Sequence, residues 1–312
     1  MRWRWPPGVS SMRATGMGGD TFRSGGNDMN NKQNIVQCLS PSGLHRMSYY
    51  EWGARDNPRV LVCVHGLTRN ARDFDALAQA LSGHYRVICP DVVGRGQSGW
   101  LRDPSGYAIP QYVADMVTLI ARLNVETVHW LGTSMGGLIG MALAAQPGTP
   151  IRRLVLNDVG PLITVESLQR IASYVGLAPD WPTMESAIAY VKLVSAPFGP
   201  LSEVQWYDLT ESSVMQCSDG RWRFRYDPKI AEPFKAAFVD QDINLWPIYQ
   251  AISCPTLVIR GEESDLLTCD TWEKMGDCGP RAQLAEIAGV GHAPMFQSEE
   301  QIDIVRDFLL SV

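Results

Sequence analysis

Four short, nearly unbroken apolar runs, at residues 60–65, 85–90, 128–131 and 154–157, alternate with helical periodicity at 73–81, 112–123 and 138–145. A strand that is apolar on every side chain must be covered on both faces. Strands alternating with helices therefore imply a parallel sheet with right-handed crossovers. The rhythm stops after Asp158. Over 160–253 no short buried strand is evident. That stretch holds helical patterns at 165–175 and 184–193, and a Ser218-Asp219-Gly220 turn before 221–226. A gap of roughly 90 residues far exceeds the usual connection of about 2–6, and reads as an inserted helical lid. The rhythm resumes at 256–260 and 283–287 and closes on an amphipathic helix at 299–310. Upstream, 35–39 and 44–50 read as an antiparallel hairpin around a Pro-Ser-Gly turn. The expected fold is α/β: a mostly parallel, doubly wound sheet of about eight strands with an inserted helical lid. Its expected divisions are 1–34, a disordered extension; 35–159, the first part of the core; 160–253, the lid; and 254–312, the second part of the core.

Composition narrows the partners. The chain has 312 residues, 45% hydrophobic and 19% charged, with a net charge of −6. That balance suits a globular enzyme acting on a small molecule, and argues against nucleic acid or an anionic membrane as partner. No run approaches the roughly 18 apolar residues of a transmembrane helix. Residues 1–34 are rich in Gly, Arg, Ser, Asn and Met, without periodicity and without the apolar stretch of a secretory signal. Met29 is an alternative start within that tail. The seven cysteines are odd in number, scattered, and form no CxxC pair. They read as reduced thiols of a cytoplasmic protein.

The chemistry concentrates at strand ends. Gly132-Thr133-Ser134-Met135-Gly136 is a G-x-S-x-G motif between an apolar run and a helical pattern. A serine on so sharp a turn projects its hydroxyl from the sheet edge, with a helix N-terminus behind it. Ser134 is the expected nucleophile. His65-Gly66-Leu67 follows an earlier strand. A tetrahedral oxyanion needs two donors, and the Leu67 and Met135 N–H groups are the expected pair. His65 itself reads as a loop holder. Of five histidines only His292, in Gly289-Val290-Gly291-His292-Ala293-Pro294, follows the last strand, which makes it the expected general base. His129 sits within a strand, and His45 and His84 read as turn or surface residues. The acid must lie between Ser134 and His292 in the chain. Asp265, in the loop after 256–260, is the expected one; Asp158 is its rival, and Glu262 and Glu263 compete from the same loop. Arg69 stands after the oxyanion loop. It either contacts a polar or carboxylate group of a substrate or pairs with a neighbour such as Asp73, and the pairing is the favoured reading. The aromatic residues of the lid, Trp181, Tyr190, Phe198, Trp206, Tyr207, Trp222 and Trp246, read mostly as lid packing, some as pocket lining.

His65-Gly66, the stretch Asp91-Val92-Val93-Gly94-Arg95-Gly96-Gln97-Ser98, the Ser134 motif, the Asp265 loop and Gly291-His292 stand in an order that resembles the α/β-hydrolase superfamily. The resemblance runs from about residue 35 to the end, and is least specific in the lid. It implies serine chemistry, since dehalogenases and epoxide hydrolases of this fold carry aspartate at the nucleophile and dienelactone hydrolases cysteine. Ala293 stands where carbon–carbon hydrolases of the fold often carry Trp. The expected activity is cleavage of a carboxylic ester through an acyl-enzyme, with no metal or organic cofactor. Lactonase, thioesterase, perhydrolase, acyltransferase, and a receptor that retains the triad are the alternatives.

Overall fold

Residues β1 (Lys32–Ser40) and β2 (Gly43–Trp52) form the hairpin at one edge of the main sheet. In β1 buried and exposed side chains alternate over its second half, as expected of a strand wet on one side. The computed structural model describes residues 32–236 and 241–311. Residues 32–34, read from the sequence as the end of the extension, thus belong to β1. The rest of that segment, with Met29, lies outside the described residues.

β3 (Val60–Val64) and β4 (Arg86–Pro90) are buried at every position. They are joined through α1 (Asp75–Leu81). α2 (Ile109–Leu123) leads to β5 (Val128–Thr133), α3 (Met135–Ala144) to β6 (Ile151–Asn157). After the interruption come β7 (Thr256–Gly261) and β8 (Gln283–Ile287). The eight strands lie in the order β1-β2-β4-β3-β5-β6-β7-β8. β2 is antiparallel to both its neighbours; the remaining pairs are parallel. One apolar cluster, with Leu119, Trp130, Ile139 and Val258, fills one face of the sheet; another, with Leu77, Cys63, Ile259 and Phe308, fills the other. This is the doubly wound sheet that the alternating pattern implies. Chain order reverses around β3, and ligands of open α/β sheets bind at the carboxyl ends of strands near such a reversal.

His45 is buried, contrary to its reading as a surface residue. Its Nε2 lies 2.9 Å from Asp115 Oδ2 and so ties α2 to the hairpin. His129 bonds the Tyr85 hydroxyl at 2.9 Å, as befits a strand residue, and His84 is exposed. All seven cysteines are free. Among the described residues no helix is long and apolar enough to cross a membrane.

The described residues between β6 and β7 contribute nothing to the main sheet. They form α4 (Val165–Tyr174), α5 (Met184–Val194), α6 (Glu203–Ser213), α7 (Ala231–Ala236) and α8 (Trp246–Gln250). They also form strands too short to read from periodicity. Trp222–Phe224 pairs with Asp180–Trp181 and with Val214–Gln216, and Leu162–Ile163 with Ile243–Asn244. Side-chain caps at Thr164, Thr183 and Ser202 start α4, α5 and α6. The chain closes with α9 (Cys269–Asp277) and α10 (Glu299–Leu310).

Candidate active site

The ends of β5, β6 and β8 deliver the site. β5 ends at Thr133, and Ser134 follows with φ 52° and ψ −116°, a strained left-handed conformation at the head of α3. Only glycine fits its flanks. A Cβ on Gly132 would sit 2.2 Å from the Gly136 carbonyl carbon, and one on Gly136 would sit 2.0 Å from the Val64 oxygen. Helix, turn and β3 thus pack backbone against backbone, which fixes the serine.

His292, in the loop after β8, places Nε2 3.0 Å from Ser134 Oγ and Nδ1 2.7 Å from Asp158 Oδ2. With Nδ1–H donating to the carboxylate, Nε2 is left to accept the serine proton. Asp158 is fully buried, and His292 is 15% exposed. The loop after β7 steadies the carboxylate. Gly261 N–H donates to Asp158 Oδ1 at 2.9 Å and Ser264 Oγ donates to Oδ2 at 2.7 Å. The Ser264 hydroxyl in turn accepts from the Leu266 and Leu267 N–H groups. Asn157 binds the Thr133 hydroxyl and the Pro294 carbonyl, joining the serine turn to the histidine loop.

The acid expected from the sequence, Asp265, is not at the histidine. Its side chain is 54% exposed and forms an ion pair with Arg170 of α4, with Nη2 2.9 Å from Oδ1. The reason is positional. Asp158 follows β6 directly, on the strand beside β5, whereas Asp265 lies four residues beyond Gly261 on a loop that has turned toward α4. The rival Glu262 accepts from Gly289 N–H at 2.9 Å, a loop-closing bond.

His65 is fully buried at the end of β3. Its Nδ1 donates to Gly66 O at 2.7 Å, and its Nε2 accepts from Val92 N–H at 2.9 Å. Because a trans peptide sets N–H opposite C=O, holding the Gly66 carbonyl turns the Leu67 N–H away from the ring. Leu67 lines the same cavity as Ser134. Met135 opens α3, so its N–H is among the donors that a helix cannot satisfy internally. Burial pushes the His65 pKa down to about 3. The folded value lies below the unfolded value, so the stabilisation is present above about pH 6.5 and is lost as pH falls toward 3. His65→Gln removes this linkage. Urea unfolding should therefore show the wild-type advantage over His65→Gln shrinking by about 2 kcal/mol between about pH 7.5 and about pH 5. A gap that stays constant contradicts the neutral, buried imidazole.

The cavity over Ser134 holds about 380 Å³. Core residues Gly66, Leu67, Arg69 and His292 form its floor, and Arg170, Tyr174, Tyr190, Phe198, Phe224 and Tyr226 of the insert enclose it. Arg69 grips Asp73 through Nε and Nη2, as the favoured reading had it, and its guanidinium faces the Phe198 ring at 5.8 Å. Of the predicted aromatic residues only Tyr190 and Phe198 line this cavity. Trp181 packs on Tyr190 and Phe224, Trp206 on Val191 and Leu209, Trp246 on Tyr249; Tyr207 is exposed. Trp222 borders a separate groove along α6. Ser264, Arg170 and Tyr226 carry no local motif, and sequence reading misses them.

The α/β hydrolase fold family matches residues 59–299. A 3-hydroxybutyrate-oligomer hydrolase of Cupriavidus necator is 51% identical over 281 residues, which cover 88% of this chain and 96% of that protein. An α/β hydrolase from Novosphingobium aromaticivorans superposes with a TM-score of 0.81 at 37% identity, covering 91% of this chain and 99% of that one. A structure from Rickettsia typhi gives a TM-score of 0.83 at 35% identity, covering 89% and 98%. The chain belongs to the α/β-hydrolase superfamily.

Proposed function

We propose that this protein hydrolyses carboxylic esters through an acyl-enzyme on Ser134, and that its substrates are short linear oligomers of a hydroxy acid such as 3-hydroxybutyrate. The observation that carries the reading is the continuous chain Ser134 Oγ, His292, Asp158, with separations of 3.0 and 2.7 Å. His292 Nε2 takes the hydroxyl proton as Oγ attacks the carbonyl carbon. The Leu67 and Met135 N–H groups receive the oxyanion, a pair whose members are each worth roughly 3 kcal/mol in such sites. His292 then protonates the departing alkoxide. Water enters, gives its proton to the same nitrogen, and releases the acid. Asp158 holds the imidazole in the required tautomer and balances its charge.

The substrate class rests on the relative's activity and on the cavity. Its walls carry two guanidinium groups, Arg69 and Arg170, each paired through Nε and Nη2 with a carboxylate, Asp73 and Asp265. A linear hydroxy-acid oligomer ends in a carboxylate, for which the Nη1 donors not engaged in these pairs are the contact, Arg69 being the nearer to the oxyanion loop. A Cβ at Gly66 would lie 3.7 Å from both Arg69 Cγ and Ser134 Cβ. The insert, as a lid, closes this space from above.

A panel of 3-hydroxybutyrate dimer and trimer, p-nitrophenyl butyrate and palmitate, a butyrolactone and a butyryl thioester tests the assignment. The oligomers should be cleaved with kcat/KM at least about 100-fold above the palmitate ester. Preference for the lactone or thioester, with the trimer untouched, refutes the substrate class while leaving serine chemistry in place.

A further inference from the structure

Arg95 is fully buried in the loop after β4. Its Nε donates to Leu67 O at 2.8 Å. Its Nη1 donates to Val93 O at 2.8 Å and to the Tyr112 hydroxyl at 3.0 Å. Its Nη2 lies 3.7 Å from Met135 Sδ. The Tyr107 and Tyr112 rings stand 5.7 and 5.2 Å from Cζ. Every partner is neutral. Among the described residues no carboxylate comes within ion-pair distance of this guanidinium. The other buried arginines do have one: Arg86 bonds Glu51, and Arg260 bonds Glu286.

A guanidinium does not give up its proton inside a protein, and a buried charge without a counter-ion is costly. A mere loop staple would be better served by a neutral or ion-paired side chain. What sets Arg95 apart is where it points. It touches Leu67 and Met135, the two residues whose N–H groups receive the oxyanion under the proposed function. We infer that Arg95 is a positioning residue of the oxyanion hole. It holds the two donor residues in one frame, and its unbalanced charge meets its counter-charge only when the tetrahedral oxyanion forms. This inference rests on the ester-hydrolase reading of Ser134. Its energetic form is that of effective catalysis, since the attraction is greater in the transition state than in the ground state.

The probe is an alkylboronic acid. Ser134 Oγ bonds to boron, the hydroxyl proton passes to His292 Nε2, and the boron, keeping both its hydroxyls, becomes a tetrahedral anion. Wild type, Arg95→Lys and Arg95→Met are compared in kcat, KM and boronate affinity, with circular dichroism to establish folding. Arg95→Met should lose about 100-fold in kcat with KM within about threefold, and boronate affinity should fall in parallel with kcat/KM. Arg95→Lys, which keeps the charge but not the fork, should lose about tenfold in both. A folded Arg95→Met enzyme with wild-type kcat overturns the inference. So does a kcat loss that boronate binding does not follow, the mark of a merely structural role. Should Arg95→Met fail to fold, Arg95→Lys decides by the same rule: matched losses support the role, and unmatched or absent losses overturn it. A wild-type enzyme that neither cleaves esters nor binds the boronate refutes the reading of Ser134 instead, so the two failures are distinct.

Discussion

Asp158→Asn should lose about 10⁴-fold in kcat on p-nitrophenyl butyrate, while Asp265→Asn stays within about threefold of wild type. The Asp158 carboxylate accepts from three donors at once: His292 Nδ1, Ser264 Oγ and Gly261 N–H. An amide in its place offers one oxygen. If that oxygen keeps Gly261, the NH₂ group faces the imidazole. Nδ1 must then accept, and the ring proton moves to Nε2, where it blocks proton uptake from Ser134. The geometry can survive while the chemistry stops. Asp265 faces a different environment. Its half-exposed ion pair with Arg170 joins a core loop to α4, and such pairs contribute at most about 1 kcal/mol. A dead Asp265→Asn enzyme beside an active Asp158→Asn enzyme reverses the assignment.

Ser134→Ala should lose about 10⁶-fold in kcat and unfold at the same urea midpoint as wild type. The fold does not depend on the hydroxyl. Its one contact of consequence is His292, while the turn is held by the Ser134 N–H to Asn157 O bond at 3.0 Å and by the close packing at Gly132 and Gly136. Activity that persists in this variant, assayed after removal of traces of wild type, places the chemistry elsewhere.

Much of this was legible in the sequence because it is encoded locally. β3 is apolar throughout, and β4 and β5 are largely so apart from Arg86, His129 and Thr133, since the sheet is covered on both faces, and the Ser134 turn declares itself through glycines that no other residue can replace. His292 was reachable by its place after the last strand. The acid was not, because two adjacent strands, β6 and β7, are each followed by aspartates. Which one meets Nδ1 depends on the path of a loop, and no periodicity records that path. Asp158 stands at the strand end and is received by donors of the neighbouring loop; Asp265 has passed the turn by the time it appears. The short strands of the insert escaped for a related reason: two or three residues are too few to show an alternation. Arg95 stands in the stretch 91–98 that carries the resemblance, but its lack of a counter-ion is a property of the packed interior.

The most direct test of the account is to inactivate the wild-type enzyme with a fluorophosphonate, map the adduct by peptide mass spectrometry, and follow residual hydrolysis of the 3-hydroxybutyrate trimer in the same samples. The account predicts one adduct, on Ser134, with trimer hydrolysis falling in proportion to its occupancy. Full labelling of Ser134 with trimer hydrolysis intact, or inactivation with the adduct on another residue, contradicts it.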